Sequence, residues 1–228
     1  MNSLSSVKKI MLSLTILVLC GLIFLVGQLG LADIYAHKSY RTLKTWQLAP
    51  YVMEDAKWDK IKNNLQHALV YDPGNPELMM ATGLAYEGRY AEKAVQLPEA
   101  KADRGEALAY YRQSVALRPG WPYGWIDLAL VKYRLGELDQ EFYDALNTAD
   151  ELGPWEPGVQ RVIIDIGLHG WNHIDDATHT LVLNTIKKAV IHSDKKHVDT
   201  ILGILKKYRV LYYACSANDD PYLRNRCN

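Results

Sequence analysis

His169 and His173 stand four residues apart, a spacing that sets two imidazoles on one face of a helix, as in many metal-binding pairs. The intervening Gly170-Trp171-Asn172 lacks the glutamate that a zinc hydrolase of this pattern uses as its base, so structural or surface roles explain both histidines more simply. His192 and His197 flank a predicted turn and read the same way. Glu87, Asp127 and Glu156 are scattered, with nothing to pair them as acid and base, and Cys215 has no nucleophile context. Neither a phosphate-cradling glycine loop nor a dinucleotide fingerprint occurs. The sequence therefore assigns no catalytic residue, no metal ligand and no cofactor, and points to a protein that works by binding.

The residues suited to binding are aromatic. Trp121, Tyr123, Trp125 and Tyr133 crowd one short stretch. On a helical-repeat register, Tyr123, Ile126, Leu130, Tyr133 and Arg134 line the inner surface, where such scaffolds hold peptides, and aromatic faces also suit the C–H patches of sugar rings. Trp121 and Trp125 are expected mainly in core and inter-repeat packing, and Trp155 beside Glu156 is expected to close a turn against the next helix.

The elements that must position these residues are helices. Every long segment after the first 32 residues has helical periodicity, and none alternates with period two, so the fold is expected to be all-α. Proline and glycine punctuate the chain at Asp72-Pro73-Gly74-Asn75-Pro76, Arg118-Pro119-Gly120-Trp121-Pro122 and Gly153-Pro154-Trp155-Glu156-Pro157-Gly158. Gly83, Tyr86, Ala107, Tyr111 and Pro119 follow the small, aromatic, Ala, aromatic, Pro order of a tetratricopeptide repeat, with about a dozen extra residues between its helices. Trp125, Leu128, Ala129, Gly136 and Ala145 form a second match, in which Glu141 departs from the expected Ala. The upstream helix Trp58 to Tyr71 contributes Ile61, Leu65 and Ala68. Two antiparallel helices approach closely only where a small residue faces a bulky one, and a lone pair cannot bury its face, so neighbouring pairs stack. Past Pro157 the signature fades into three apolar stripes that predict further helices: Val159, Val162, Ile163 and Ile166; Val182, Ile186, Ala189 and Val190; and Val198, Ile201, Leu202 and Leu205.

From Ile10 to Ala32 run 23 residues without a charge, enough to cross a hydrocarbon layer as a helix. Lys8 and Lys9 precede the run, which fits an uncleaved signal anchor with its tail in the cytoplasm and the rest exported; Lys38, Arg41 and Lys44 pull against that orientation. A cleaved signal peptide is the competing reading, since Gly30 and Ala32 make a small-x-small site, but the run is longer than a usual signal core. Cys215 and Cys227 form an even pair that an oxidising compartment would join, stabilising the terminus by about 2–4 kcal/mol; two free thiols are the alternative. Lys plus Arg and Asp plus Glu both total 26, which removes the basic excess expected of a nucleic-acid binder. The stretch Leu181 to Tyr213 is locally basic, as a solvated helix face or as a contact for anionic lipid or glycan.

The stretch Tyr111-Arg112-Gln113-Ser114-Val115-Ala116-Leu117-Arg118-Pro119-Gly120-Trp121-Pro122-Tyr123-Gly124-Trp125, then Leu128-Ala129, Lys132, Gly136, Ala149 and Leu152-Gly153-Pro154-Trp155-Glu156-Pro157, resembles the VpsP family of bacterial polysaccharide-biosynthesis proteins. The anchor ending in Leu31-Ala32-Asp33-Ile34-Tyr35-Ala36 is also similar. The resemblance implies a single-pass inner-membrane protein with its bulk in the periplasm, an accessory of exopolysaccharide assembly whose partners are proteins of the synthesis and export complex, or the polysaccharide itself. It implies no reaction. The expected organisation is a cytoplasmic tail (1–9), a transmembrane helix (10–32), a juxtamembrane segment (33–56), a tetratricopeptide-like α-solenoid of antiparallel helix pairs (57–158), capping helices (159–210) and a tail (211–228).

Overall fold

The computed structural model describes residues 2–48, 53–90, 97–192 and 194–212. Cys215 and Cys227 lie outside them. All the described regular structure is helical, in the order α1 (Asn2–Leu48), α2 (Asp55–Tyr71), α3 (Pro76–Gly88), α4 (Pro98–Leu117), α5 (Pro122–Leu135), α6 (Gln140–Leu152), α7 (Pro157–His169), α8 (Asp176–His192) and α9 (Lys195–Lys207). The punctuation has local causes. Pro76, Pro98, Pro122 and Pro157 each open a helix, where the missing N–H is no loss and the fixed φ suits the first turn. Asn75, Asp139 and Asp194 cap α3, α6 and α9 by accepting hydrogen bonds from first-turn amides. Gly136 ends α5 at φ +77°, a left-handed conformation that favours glycine.

The chain forms two compact units, residues 1–89 and 90–228. This division falls inside the first sequence repeat, since Gly83 and Tyr86 lie on α3 and Ala107 and Tyr111 on α4. In the first unit α1 runs unbroken for 47 residues, long and apolar enough to cross a membrane, with its most apolar window wholly unburied. Past that window α1 packs on α2 and α3. Trp46 meets Trp58 edge-on at 5.3 Å, and a Cβ on Gly88 would stand 2.6 Å from the Trp58 ring, so α3 needs a glycine there.

The second unit is a run of tetratricopeptide-like helix pairs. α5 packs on α4, α6 and α7, and α7 packs in turn on α8 and α9. The first helix of each pair thus meets the first helix of the next. Where the sequence signature fades, the pairing persists: Gly167 of α7 lies directly against Val182 of α8, again a small residue facing a bulky one. Gln160 and His197 join α7 to α9 inside the core through a 2.9 Å hydrogen bond, while the Gln160 amide donates to the Pro154 carbonyl at 2.8 Å. The remaining Gln160 oxygen must then accept, so His197 carries its proton on Nε2. Burial pushes the His197 imidazole below its usual range and keeps it neutral.

Lys132 of α5 is 1% exposed, and its ammonium reaches Glu137 at 3.1 Å, Asp139 at 2.9 Å and Glu141 at 2.8 Å. Glu141 also takes a two-pronged hydrogen bond from Arg112 of α4 at 2.7 and 2.6 Å. This accounts for its departure from the expected Ala. Arg112, and then Lys132, hold the Glu141 carboxyl down at about 2, while Lys132 holds Asp139 below the usual carboxylate range. Burial pulls the Lys132 ammonium down, but its three carboxylate partners outweigh that and leave it raised.

A charged hydrogen-bonding group removed from such a site costs about 2–3 kcal/mol. Lys132→Met in the full chain in detergent is expected to lower stability to urea by that amount at pH 7. Because the Glu141 and Asp139 carboxyls are depressed in the folded state, their contribution is whole above the ordinary carboxylate range and drains away as pH falls from about 4.5 toward about 2. The wild type should therefore lose stability across that interval more steeply than the variant. Superimposable urea curves at neutral pH would show that the cluster stabilises nothing.

Candidate functional site

An open groove of about 840 Å³ lies between α4, α5, α7 and the end of α9. Residues of α5 form one wall. Leu130, Tyr133 and Arg134 recur at three- and four-residue spacing, which turns all three toward the cavity. The opposite wall comes from α7, with Asp165, Ile166 and His169 at the same spacing, and from Lys207 and Tyr208 at the end of α9. Lys101 and Arg104 of α4 complete it.

The two walls are tied to each other. The Tyr133 hydroxyl stands 2.6 Å from Nδ1 of His169, and the rings meet edge-on at 5.8 Å. His169 in turn lies 6.3 Å from the Tyr208 ring. Tyr208 donates to Asp165 at 3.0 Å, and Lys207 reaches the same oxygen at 3.2 Å. Burial pushes both tyrosine hydroxyls up, so they are protonated donors at neutral pH; the Tyr208 hydroxyl, then Asp165, hold Lys207 up as a cation. Lys101, Arg104, Arg134 and Lys207 line the groove against one acid, Asp165, which Lys207 and Tyr208 already engage. Among the described residues the lining thus holds more cations than acids, beside leucine, isoleucine and two aromatic rings. That combination suits a ligand with an apolar side and a negative charge.

Of the residues that the sequence places on the inner surface, Leu130, Tyr133 and Arg134 stand in this wall. Ile126 does not: it is 1% exposed and belongs to the core. Tyr123 stands away from the groove, at the joint between successive pairs. Its hydroxyl donates to Glu156 at 2.7 Å, and its ring lies where a Cβ on Gly158 would be, 2.7 Å away. Burial and then Glu156 push the Tyr123 hydroxyl up to about 12. Trp125 donates to the Pro119 carbonyl at 2.7 Å, and Arg118 stacks over Trp121 at 4.7 Å, so both tryptophans serve the turn between α4 and α5.

His169 and His173 do not share a helix face, because α7 ends at His169 and His173 follows in a turn that bonds back to the Gly170 carbonyl. Among the described residues no group of three or more His, Cys, Asp or Glu side chains could hold a metal ion. Sequence reading passed over Asp165, His169 as a groove residue, Lys207 and Tyr208. The apolar stripes of α7 and α9 were visible, and the polar residues between them carry the signal. Trp155 is 57% exposed; it edges a shallow depression of about 330 Å³ with Asn184, Lys187 and the ion pair of Lys188 with Asp150 at 2.9 Å.

No protein-family description matches this chain, and no curated protein matches it. Among solved structures, that of the human IFIT1 dimer with PPP-AAAA is similar at a TM-score of 0.45 and 16% identity, over 82% of this chain and 47% of that one. This chain spans about half the length of that protein.

Proposed function

We propose that this protein is a membrane-tethered accessory of exopolysaccharide biosynthesis, anchored in the bacterial inner membrane by α1 with its bulk in the periplasm. Its helix pairs act there as a protein-interaction scaffold for the synthesis and export machinery, by binding and not by catalysis. The membership in polysaccharide biosynthesis rests on the resemblance to the VpsP family. The scaffold role rests on one observation, the aromatic, cation-lined groove between α4, α5, α7 and the end of α9, of the kind that stacked repeats present as a concave binding face. A segment of a partner protein that lays apolar residues on Leu130 and Ile166 and a carboxylate near Lys101 fits it.

A photo-crosslinking residue placed at Leu130 in the full-length chain, in membranes that are actively making polymer, should trap one specific protein of that machinery. Tyr133→Ala should weaken capture by about tenfold or more, as truncation of a buried aromatic anchor does. Gly170→Ala should do likewise without touching the ligand, because its Cβ would stand 2.9 Å from the Tyr133 ring and push it into the groove. Deletion of the gene should lower surface polysaccharide. No adduct during active synthesis sinks the scaffold, and normal polymer in the deletion strain sinks the biosynthetic assignment.

A second reading, a module that holds the nascent polysaccharide, is favoured by the exposed Trp155 face with Asn184 and Lys187 beside it. It predicts that the detergent-solubilised chain binds the native polymer at low salt and that Trp155→Ala weakens this severalfold. A wild-type chain that shows no affinity for the polymer removes it.

A further inference from the structure

In the first unit, burial begins where the apolar run stops. Ala32, Ala36, Ser39, Leu43 and Trp46 are each 9% exposed or less, a stripe stepping by four and three residues along one face of α1. α2 runs back along that face: Trp58 meets Trp46, the Ile61 carbonyl accepts from Ser39 at 3.5 Å, and Tyr71 stacks on Tyr35 at 5.8 Å. His67 stacks on the same Tyr35 ring at 5.5 Å. The end of α2 is thereby returned to within one turn of Ala32.

At that level two large apolar side chains stand exposed among polar neighbours, Asp33 on α1 and Asn63, Gln66 and His67 on the Val70 face of α2. Val70 is 74% exposed, more than any other large hydrophobic side chain among the described residues, and Ile34 is 72% exposed. At 1.5 Å per residue, Ile10–Ala32 extends about 34 Å, which uses up a hydrocarbon core of about 30 Å and leaves Tyr35 about 5 Å beyond it, in the headgroup layer. Tyrosine favours that layer, with its ring in the apolar side and its hydroxyl in water.

We propose that the corner between α2 and α3, led by Val70 and the Tyr35–Tyr71 pair, rests in the headgroup layer of the bilayer that α1 crosses, so that the first unit sits down on the membrane instead of standing off on a stalk. The inference rests on α1 being a membrane anchor. The occupant is lipid, because Ile34 follows directly on the exposed apolar surface of α1, the stacking of Tyr71 on Tyr35 sets Val70 at the same level, and that level is the depth the helix length sets. Contact is apolar and aromatic, not electrostatic: Asp33, Asp72 and Glu77 gather around Tyr40 at this end of the unit, where burial and then these carboxylates push its hydroxyl up. The exposed cations Lys38, Arg41 and Lys44 begin a turn or more farther along. Uncharged lipid is therefore sufficient.

The test uses the full chain with Cys20, Cys215 and Cys227 changed to Ser and one new cysteine, Leu25→Cys, Gln47→Cys or Val70→Cys, carrying an environment-sensitive fluorophore. Each is placed in phosphatidylcholine nanodiscs with and without lipid bearing a quenching nitroxide near the headgroup end of its acyl chain. Labels at 25 and 70 should both be quenched, and the label at 47, about 22 Å along α1 from Ala32, should not. A label at 70 quenched no more than that at 47, while the label at 25 is quenched, leaves the anchor intact and overturns the seat. A label at 25 that is not quenched overturns the anchor and the seat together.

Discussion

A buried ammonium governs the second unit. Lys132 points from the last turn of α5 into the connection that leads to α6, and three carboxylates, on either side of the α6 start, close around it. A charge so buried is tolerated only when its hydrogen-bonding capacity is filled, and three acceptors fill it. The same cluster reaches back to α4, because Glu141 serves Lys132 and Arg112 at once. Three successive helices are thus locked at one corner by charge. Tyr133 and Arg134 are the next two residues of α5, so the direction in which they face the groove follows from where Lys132 must point the other way.

The facing wall is held by a different device. α7 and α9 share a core hydrogen bond between Gln160 and His197, and a rim contact in which Asp165 takes both Tyr208 and Lys207. The inner contact needs a proton on Nε2 of His197, in an imidazole that burial keeps neutral. Because Tyr133 bonds His169 across the cavity, the two devices meet at one hydrogen bond, and a ligand that competes for either ring would act on both walls.

The helical character of the chain and its breaks were legible in the sequence because proline, glycine and capping side chains act on their own turn. Pro122, Asn75 and Gly136 need no tertiary partner to do what they do. Glu141 was legible only as a misfit, since its reason, Arg112 and Lys132, lies on other helices. The inner-surface register placed Leu130, Tyr133 and Arg134 on the face that lines the groove, yet it also included Ile126, which the packing of neighbouring helices buries, and Tyr123, which the next turn captures through Glu156. A register says which way a side chain leaves its helix; whether space remains in front of it is decided by helices distant in sequence. His169 and Tyr208 were missed for the same reason, because their partners are 36 and 43 residues away.

The first unit poses the opposite problem, a single helix with two kinds of surface. Along its first part the described apolar side chains of α1 are exposed, which is stable only where the surroundings are as apolar as they are; from Ala32 onward one narrow stripe is buried and, past Ile34 and Tyr35, the remaining described side chains are polar. No proline marks the change and α1 runs unbroken across it, so one helix passes through both regimes. Small residues at positions 32, 36 and 39 let α2 approach closely just where the change happens, and Trp46, Trp58 and Gly88 lock the far end. A tilt of the rod would then carry α2 and α3 with it, because they are packed on the rod itself and not on a linker after it.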